Sequence, residues 1–155
     1  MRMIYVAAII GLFGASPTLA QDKAPEFAAS LKAEALKAFN NLEVTANVSI
    51  HNCHLAGDLI LMQIRLGLPS RVGINFDCIQ TGKSSVSAKY SEIRAKLAGD
   101  KDALLALNDY AASVLAVFDD LLPRDQERER EYASRIAAIE TDLRRKASLV
   151  RLQLQ

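Results

Sequence analysis

The sequence predicts an all-α protein, an antiparallel up-and-down bundle of four or five helices with one disulfide. Three observations lead to this fold class. Half of the 155 residues are hydrophobic, which is ordinary for a folded domain with a core. Only 7 Gly and 4 Pro are present, too few for the many turns of a small all-β domain. Apolar residues also recur at spacings of three and four after residue 25, the period of amphipathic helices.

Residues 1–20 are typical of a signal peptide. Arg2 precedes an apolar run over residues 4–13, and Pro17 is followed by Thr18, Leu19 and Ala20, which place small residues around a cleavage site. We expect cleavage near Gln21 and a periplasmic or secreted product; an uncleaved N-terminal anchor is the alternative. No later segment is apolar enough to predict a membrane span, and residues 21–155 are predicted to form a single helical domain.

The first helical pattern covers residues 25–42, and a more apolar segment follows at 48–66. Asn40, Asn41 and the β-branched Val44 and Thr45 weaken helix formation between them. We therefore predict a break or kink between residues 41 and 47, within the uncertain stretch 40–48, with a continuous helix as the alternative. Gly67 and Pro69 are predicted to end the second segment.

Segment 48–66 carries two interleaved apolar stripes, which predict a helix buried on several sides. One stripe contains Val48, Leu55, Leu59, Met62 and Leu66, and the other contains Ile50, Cys53, Gly57, Ile60 and Ile64. The remaining polar side chains share a narrow strip.

Four further helices are predicted downstream, over residues 72–82, 84–97, 101–122 and 125–154. Apolar side chains step by three and four through each of them, and Asp100 is placed to cap the third. The short connections between amphipathic helices predict antiparallel neighbours.

The chain contains two cysteines, Cys53 and Cys78. An exported protein meets an oxidising compartment, where an even number of cysteines usually means disulfides. We therefore predict a Cys53–Cys78 bridge; two free thiols or an intermolecular bridge are the alternatives.

The candidate metal ligands are His51, His54 and Asp58. Spacings of three and four place these residues on one side of a helix, where two imidazoles and a carboxylate could hold zinc, copper or nickel. Cys53 points to the opposite side and does not join them. No second cluster completes a ligand shell, so the preferred interpretation is a solvated polar strip, and no cofactor is predicted.

Catalytic motifs are missing from the sequence. It contains no GxSxG, GxGxxG, P-loop, HExxH or CxxC, and both histidines lie on adjacent turns of one helix. The formal net charge of +1 gives no basic surface for nucleic acid. We therefore predict no catalytic residues and no nucleic-acid partner.

The 125–154 helix is the predicted binding element. It would be about 45 Å long against about 33 Å for the 101–122 helix, so its two ends should extend past that neighbour. The candidate partner-binding residues are Arg128, Glu131, Val150 and Leu154. Either residues 25–42 cover the apolar end of this helix, or a partner or second copy does.

The sequence thus predicts an exported, non-catalytic helical protein. Its expected role is to bind a protein partner in the cell envelope, or a second copy of itself, in an accessory, inhibitory or immunity-like capacity. A periplasmic metal-binding protein using His51, His54 and Asp58 is the alternative from a different class.

Overall fold

The computed structural model describes residues 23–69, 72–124 and 126–155. These residues form four helices and no strand. The helices are α1 (Lys23–Arg65), α2 (Val72–Lys96), α3 (Lys101–Asp120) and α4 (Glu129–Leu154). The predicted signal peptide, residues 1–20, lies outside the described part of the chain.

Helix α1 is continuous over 43 residues, so the predicted break between residues 41 and 47 is wrong. Leu42 and Ala46 are fully buried, and they carry the core-facing stripe through the stretch of weak helix formers. The Thr45 hydroxyl donates to the Asn41 carbonyl at 2.8 Å, within the helix. Burial of an amphipathic face here outweighs local propensity.

Helix α2 is likewise one element where two were predicted. Gly82 lies inside it and is buried against Phe118 of α3: an added Cβ would lie 2.4 Å from Phe118 Cε1. This glycine therefore serves close packing between helices and does not end one.

The four helices pack in a bundle in which α1 neighbours α2 and α4, and α3 neighbours α2 and α4. Polar contacts join these neighbours. They include Lys96–Glu34 between α2 and α1, Tyr90–Asn108 between α2 and α3, Lys146–Asp109 between α4 and α3, and Arg151–Glu43 between α4 and α1.

The core runs between all four helices and is apolar. Phe39 of α1 meets Tyr110 of α3 edge-to-face, with ring centroids 5.2 Å apart. The Cys53 and Cys78 sulfurs lie 1.97 Å apart, at disulfide-bonding distance, and Cys53 is fully buried in this core. The pair joins α1 to α2.

Helix ends follow the predicted chemistry. Asp100 caps α3, its carboxylate accepting from the Ala103 N–H at 3.0 Å, and this bond, together with Lys32, lowers the pKa of the Asp100 carboxyl. Gly67 follows α1 with a φ of 68°, the left-handed conformation that favours glycine. Among the described helices, none combines the length and hydropathy needed to cross a bilayer.

Candidate functional site

The surface that stands out is the outward face of α1. Of its two interleaved stripes, the one containing Ile50, Cys53 and Ile60 faces the core, and only its last member, Ile64, is exposed, at 59%. The other is exposed: we call Val44, Val48, Leu55, Leu59, Met62 and Leu66 the outer stripe, and each of its side chains is between 48% and 62% exposed. The prediction that this helix is buried on several sides is therefore wrong. Its neighbours cover one side of α1 and leave the opposite side free.

The outer stripe is long, straight and nearly free of charge. At 100° per residue its six members fall within an arc of about 60°, and 22 residues at 1.5 Å rise span about 33 Å. His51 is exposed within the same line. Between residues 44 and 64, Asp58 is the one acidic or basic residue besides the two histidines.

The C-terminal half of the outer stripe forms one wall of a cleft of about 750 Å³. Leu55, Leu59 and Met62 supply apolar lining, and residues 127–129 at the start of α4 lie across from them. At the edge of the cleft, Arg65 Nη1 is 3.6 Å from Glu129 Oε2. The cleft is thus apolar with a charged rim of both signs.

The opposite wall is held in place by Arg135. Its guanidinium binds Glu127 through two hydrogen bonds, Nε to Oε1 at 2.8 Å and Nη2 to Oε2 at 2.7 Å. It also donates to the carbonyls of Asp120 and Leu122 at the end of α3. Both charged side chains are largely buried, and the pairing lowers the pKa of Glu127 and raises that of Arg135. Arg135 therefore ties Glu127 to the end of α3.

Beneath the cleft, Tyr132 of α4 packs against Gly57 of α1. The Tyr132 hydroxyl donates to the Leu121 carbonyl at 2.8 Å. Burial, together with the nearby Asp58 carboxylate, raises the pKa of Tyr132 to about 12. A Cβ added to Gly57 would lie 2.2 Å from this hydroxyl, so the close approach of α1 and α4 requires glycine here.

The candidate metal ligands do not converge in the structure. His54 Nε2 is 3.5 Å from Asp58 Oδ2, while His51 lies exposed beside Glu140 and Arg144. Within residues 23–69, 72–124 and 126–155, no three His, Cys, Asp or Glu side chains are placed to hold an ion.

The prediction that the polar strip is solvated is wrong for His54. Its ring packs edge-to-face on Tyr132 with centroids 5.3 Å apart. Its Nε2 is enclosed and has no hydrogen-bond partner. Helix α4 covers this side of α1, which the periodicity of α1 alone could not show.

The candidate partner-binding residues fall into two groups. Arg128 and Glu131 are exposed at the start of α4, where the Arg128 N–H donates to Glu131 Oε2 at 3.0 Å, and Arg128 lines the cleft. Val150 and Leu154 are buried, at 0% and 2% exposure, which corrects their assignment to a binding surface.

The first half of α1 contacts the end of α4, where Val150 and Leu154 are buried while Leu149 and Leu152 are 46% and 66% exposed. Lys32 Nζ donates to the Gln153 carbonyl at 3.1 Å, and Glu43 pairs with Arg151. The structure thus has the intramolecular alternative for Val150 and Leu154, and leaves Leu149 and Leu152 exposed.

Sequence reasoning missed the outer stripe as a surface, although it identified most of its residues. The usable signal was Cys53. It belongs to the second stripe, so a pairing with Cys78 places that stripe against α2 and leaves the first on the far side of α1. No family model, curated protein or solved structure matches this chain.

Proposed function

We propose that this is an exported, non-catalytic protein that acts by binding a protein partner in the cell envelope through the outer stripe of α1. The observation that carries the proposal is a line of six large hydrophobic side chains, interrupted by His51, that are each between 48% and 62% exposed. Single exposed hydrophobic residues are normal, but a contiguous patch of them marks an interaction surface.

The size of the patch supports the proposal. Half-exposed side chains of this kind leave roughly 100 Å² each in water, so the outer stripe offers on the order of 600 Å² of apolar surface. That is at the upper end of what a monomeric protein normally shows. Covering apolar surface lowers the free energy by about 25 cal/mol per Å², so burial of the outer stripe favours association.

The charged groups around the cleft support binding more than catalysis. Glu127 is held by Arg135, Glu129 faces Arg65, and Asp58 lies beside His54. Each carboxylate therefore has a cationic or imidazole neighbour. The cleft offers shape and apolar contact, with charges that orient an approaching partner.

Two further parts of the proposal concern location and topology. The signal-like residues 1–20 and a cysteine pair at bonding distance fit export to an oxidising compartment, periplasmic or extracellular. Early residues of one helix contact late residues of the next, as in Glu34–Lys96, which fits antiparallel up-and-down connections.

The test is site-specific photo-crosslinking in cells that export the full chain. A benzophenone side chain at Leu59, 55% exposed on the outer stripe, should give a defined crosslinked species. The matched control carries the same group at Leu105 of α3, which is 67% exposed and lies off α1. Equal crosslinking from the two positions, or none from Leu59, contradicts the proposal.

A further inference from the structure

We infer that the outer stripe is occupied by a second copy of this chain, with the two α1 helices lying antiparallel across a two-fold axis at Leu55. The inference rests on the proposed function and names the partner of that same surface. Three properties of the stripe support it: its symmetry, its charge and its area.

The symmetry lies in the spacing of the exposed line. Its members are Val44, Val48, His51, Leu55, Leu59, Met62 and Leu66. The steps are 4, 3, 4, 4, 3 and 4, which read the same from either end about Leu55. A closed two-fold interface uses the same patch on both subunits, so the patch must complement itself when reversed.

Reversal places residues of similar character opposite one another. In an antiparallel pair centred on Leu55, Val44 faces Leu66 and Val48 faces Met62 of the second copy. His51 faces Leu59 of the second copy, and His51 is the one polar residue that each copy contributes to the line. The apolar residues of each copy therefore meet apolar residues along almost the whole stripe.

The stripe also keeps its direction along the helix. It consists of two 11-residue repeats, and 11 residues in three turns give about 3.67 residues per turn, close to the 3.6 of a straight helix. Two such helices can stay in contact over the full stripe, about 33 Å.

Charge does not oppose this pairing. In this register Asp58 lies at the level of Asn52 of the second copy and Arg65 at the level of Thr45, in each case on the opposite flank of the stripe. No like charges on α1 therefore lie at the same level across the axis. A partner with a strongly charged helix would find few complementary charges on this face.

The area is sufficient for a dimer. The outer stripe contributes on the order of 600 Å² per copy, and its polar neighbours bring this towards the roughly 800 Å² per partner of a standard interface. Because both copies contribute the same apolar surface, association covers the patch completely.

Cysteine crosslinking of the purified oxidised protein tests the register. Cys53 and Cys78 are paired, so a short bismaleimide reacts with newly introduced thiols alone. Leu55→Cys should give a covalent dimer by itself. Val44→Cys and Leu66→Cys should crosslink when mixed and not when alone, and Leu105→Cys on α3 should stay monomeric. Equal crosslinking by Leu105→Cys, or none by Leu55→Cys, overturns the inference.

Sedimentation over a range of concentrations tests the affinity. Leu55→Glu buries two charges at the axis and should raise the dimer dissociation constant at least about 100-fold. His51→Leu completes the apolar line and should lower it about tenfold. Leu105→Glu should leave it unchanged. Circular dichroism of each variant reports that the helices are retained.

The outcomes separate this inference from the proposed function. A monomer at every concentration, together with a Leu59 photo-crosslink to a chain of different mass, overturns the second copy and supports protein binding by the stripe. A product crosslinked from Leu59 with twice the mass of the chain supports both the second copy and the proposed function. A monomer with no crosslink from Leu59 overturns both.

Discussion

Gly57 is the position where adding one methyl group should lower the stability of the fold most. In α1 it is buried under Tyr132, and an added Cβ would lie 2.2 Å from the tyrosine hydroxyl and 2.9 Å from Cζ. The tyrosine cannot stay in place beside an alanine. Gly57→Ala therefore forces α4 away from α1 or breaks the bond from Tyr132 to the Leu121 carbonyl.

The sign of the effect depends on opposing terms. Alanine favours a helix interior over glycine by about 1 kcal/mol. Overpacking costs about 1–3 kcal/mol, and leaving a buried hydrogen-bonding group without its partner costs about 1–3 kcal/mol. With both costs present, the sum is a loss of about 1–5 kcal/mol in the free energy of unfolding.

Urea unfolding followed by circular dichroism measures this loss, with the cysteines oxidised and at one protein concentration, since self-association adds stability by mass action. Gly99→Ala is the matched control, because nothing lies within 4 Å of a Cβ there. In a Tyr132→Phe background the cost of Gly57→Ala should fall by about 1 kcal/mol, since the closest atom is gone. Gly57→Ala protein as stable as the parent would refute the close approach of α1 and α4.

Three other predictions concern covalent state, pH and processing. Peptide mapping without reduction should recover Cys53 linked to Cys78, and replacing both by serine should lower the free energy of unfolding by about 3 kcal/mol; two alkylatable thiols in native protein would contradict this. Arg135 lowers the pKa of Glu127 below its ordinary 4.5, so this pair stabilises the fold above that value and the stabilisation is lost as pH falls through the lowered pKa. Glu127→Gln should therefore lose less stability on acidification than the parent, and identical acid titrations would count against the pairing. Finally, the intact mass of the exported protein should lack residues 1–20, whereas a full-length membrane-bound product would show that they are retained.

Periodicity predicted an all-helical chain correctly because steps of three and four persist through every helix, but it divided four helices into six segments. It failed at residues 41–47, where local propensity is weak but Leu42 and Ala46 are buried by neighbours distant in sequence. It failed again at Gly82, where glycine is needed by the Phe118 ring and does not mark a helix end.

The candidate site was harder to predict because α1 is apolar on two sides. Periodicity places Leu59 and Ile60 on different stripes but does not say which one faces the core. The length comparison between α4 and α3 left open whether residues 25–42 or a partner covers the end of α4, and α1 contacts that end through Lys32 and Glu43. At 43 residues α1 is about 64 Å long and reaches Val150 and Leu154 without folding back.

The contacts at the two ends of the bundle also determine from which end a tether or a fusion partner leaves the molecule. Lys32 meets Gln153 at one end, while Arg65 meets Glu129 beside the cleft at the other. A tether joined before residue 23 or after residue 155 therefore leaves from the end remote from the cleft. Immobilisation or fusion at either point should leave the C-terminal half of the outer stripe accessible to a binding partner in solution.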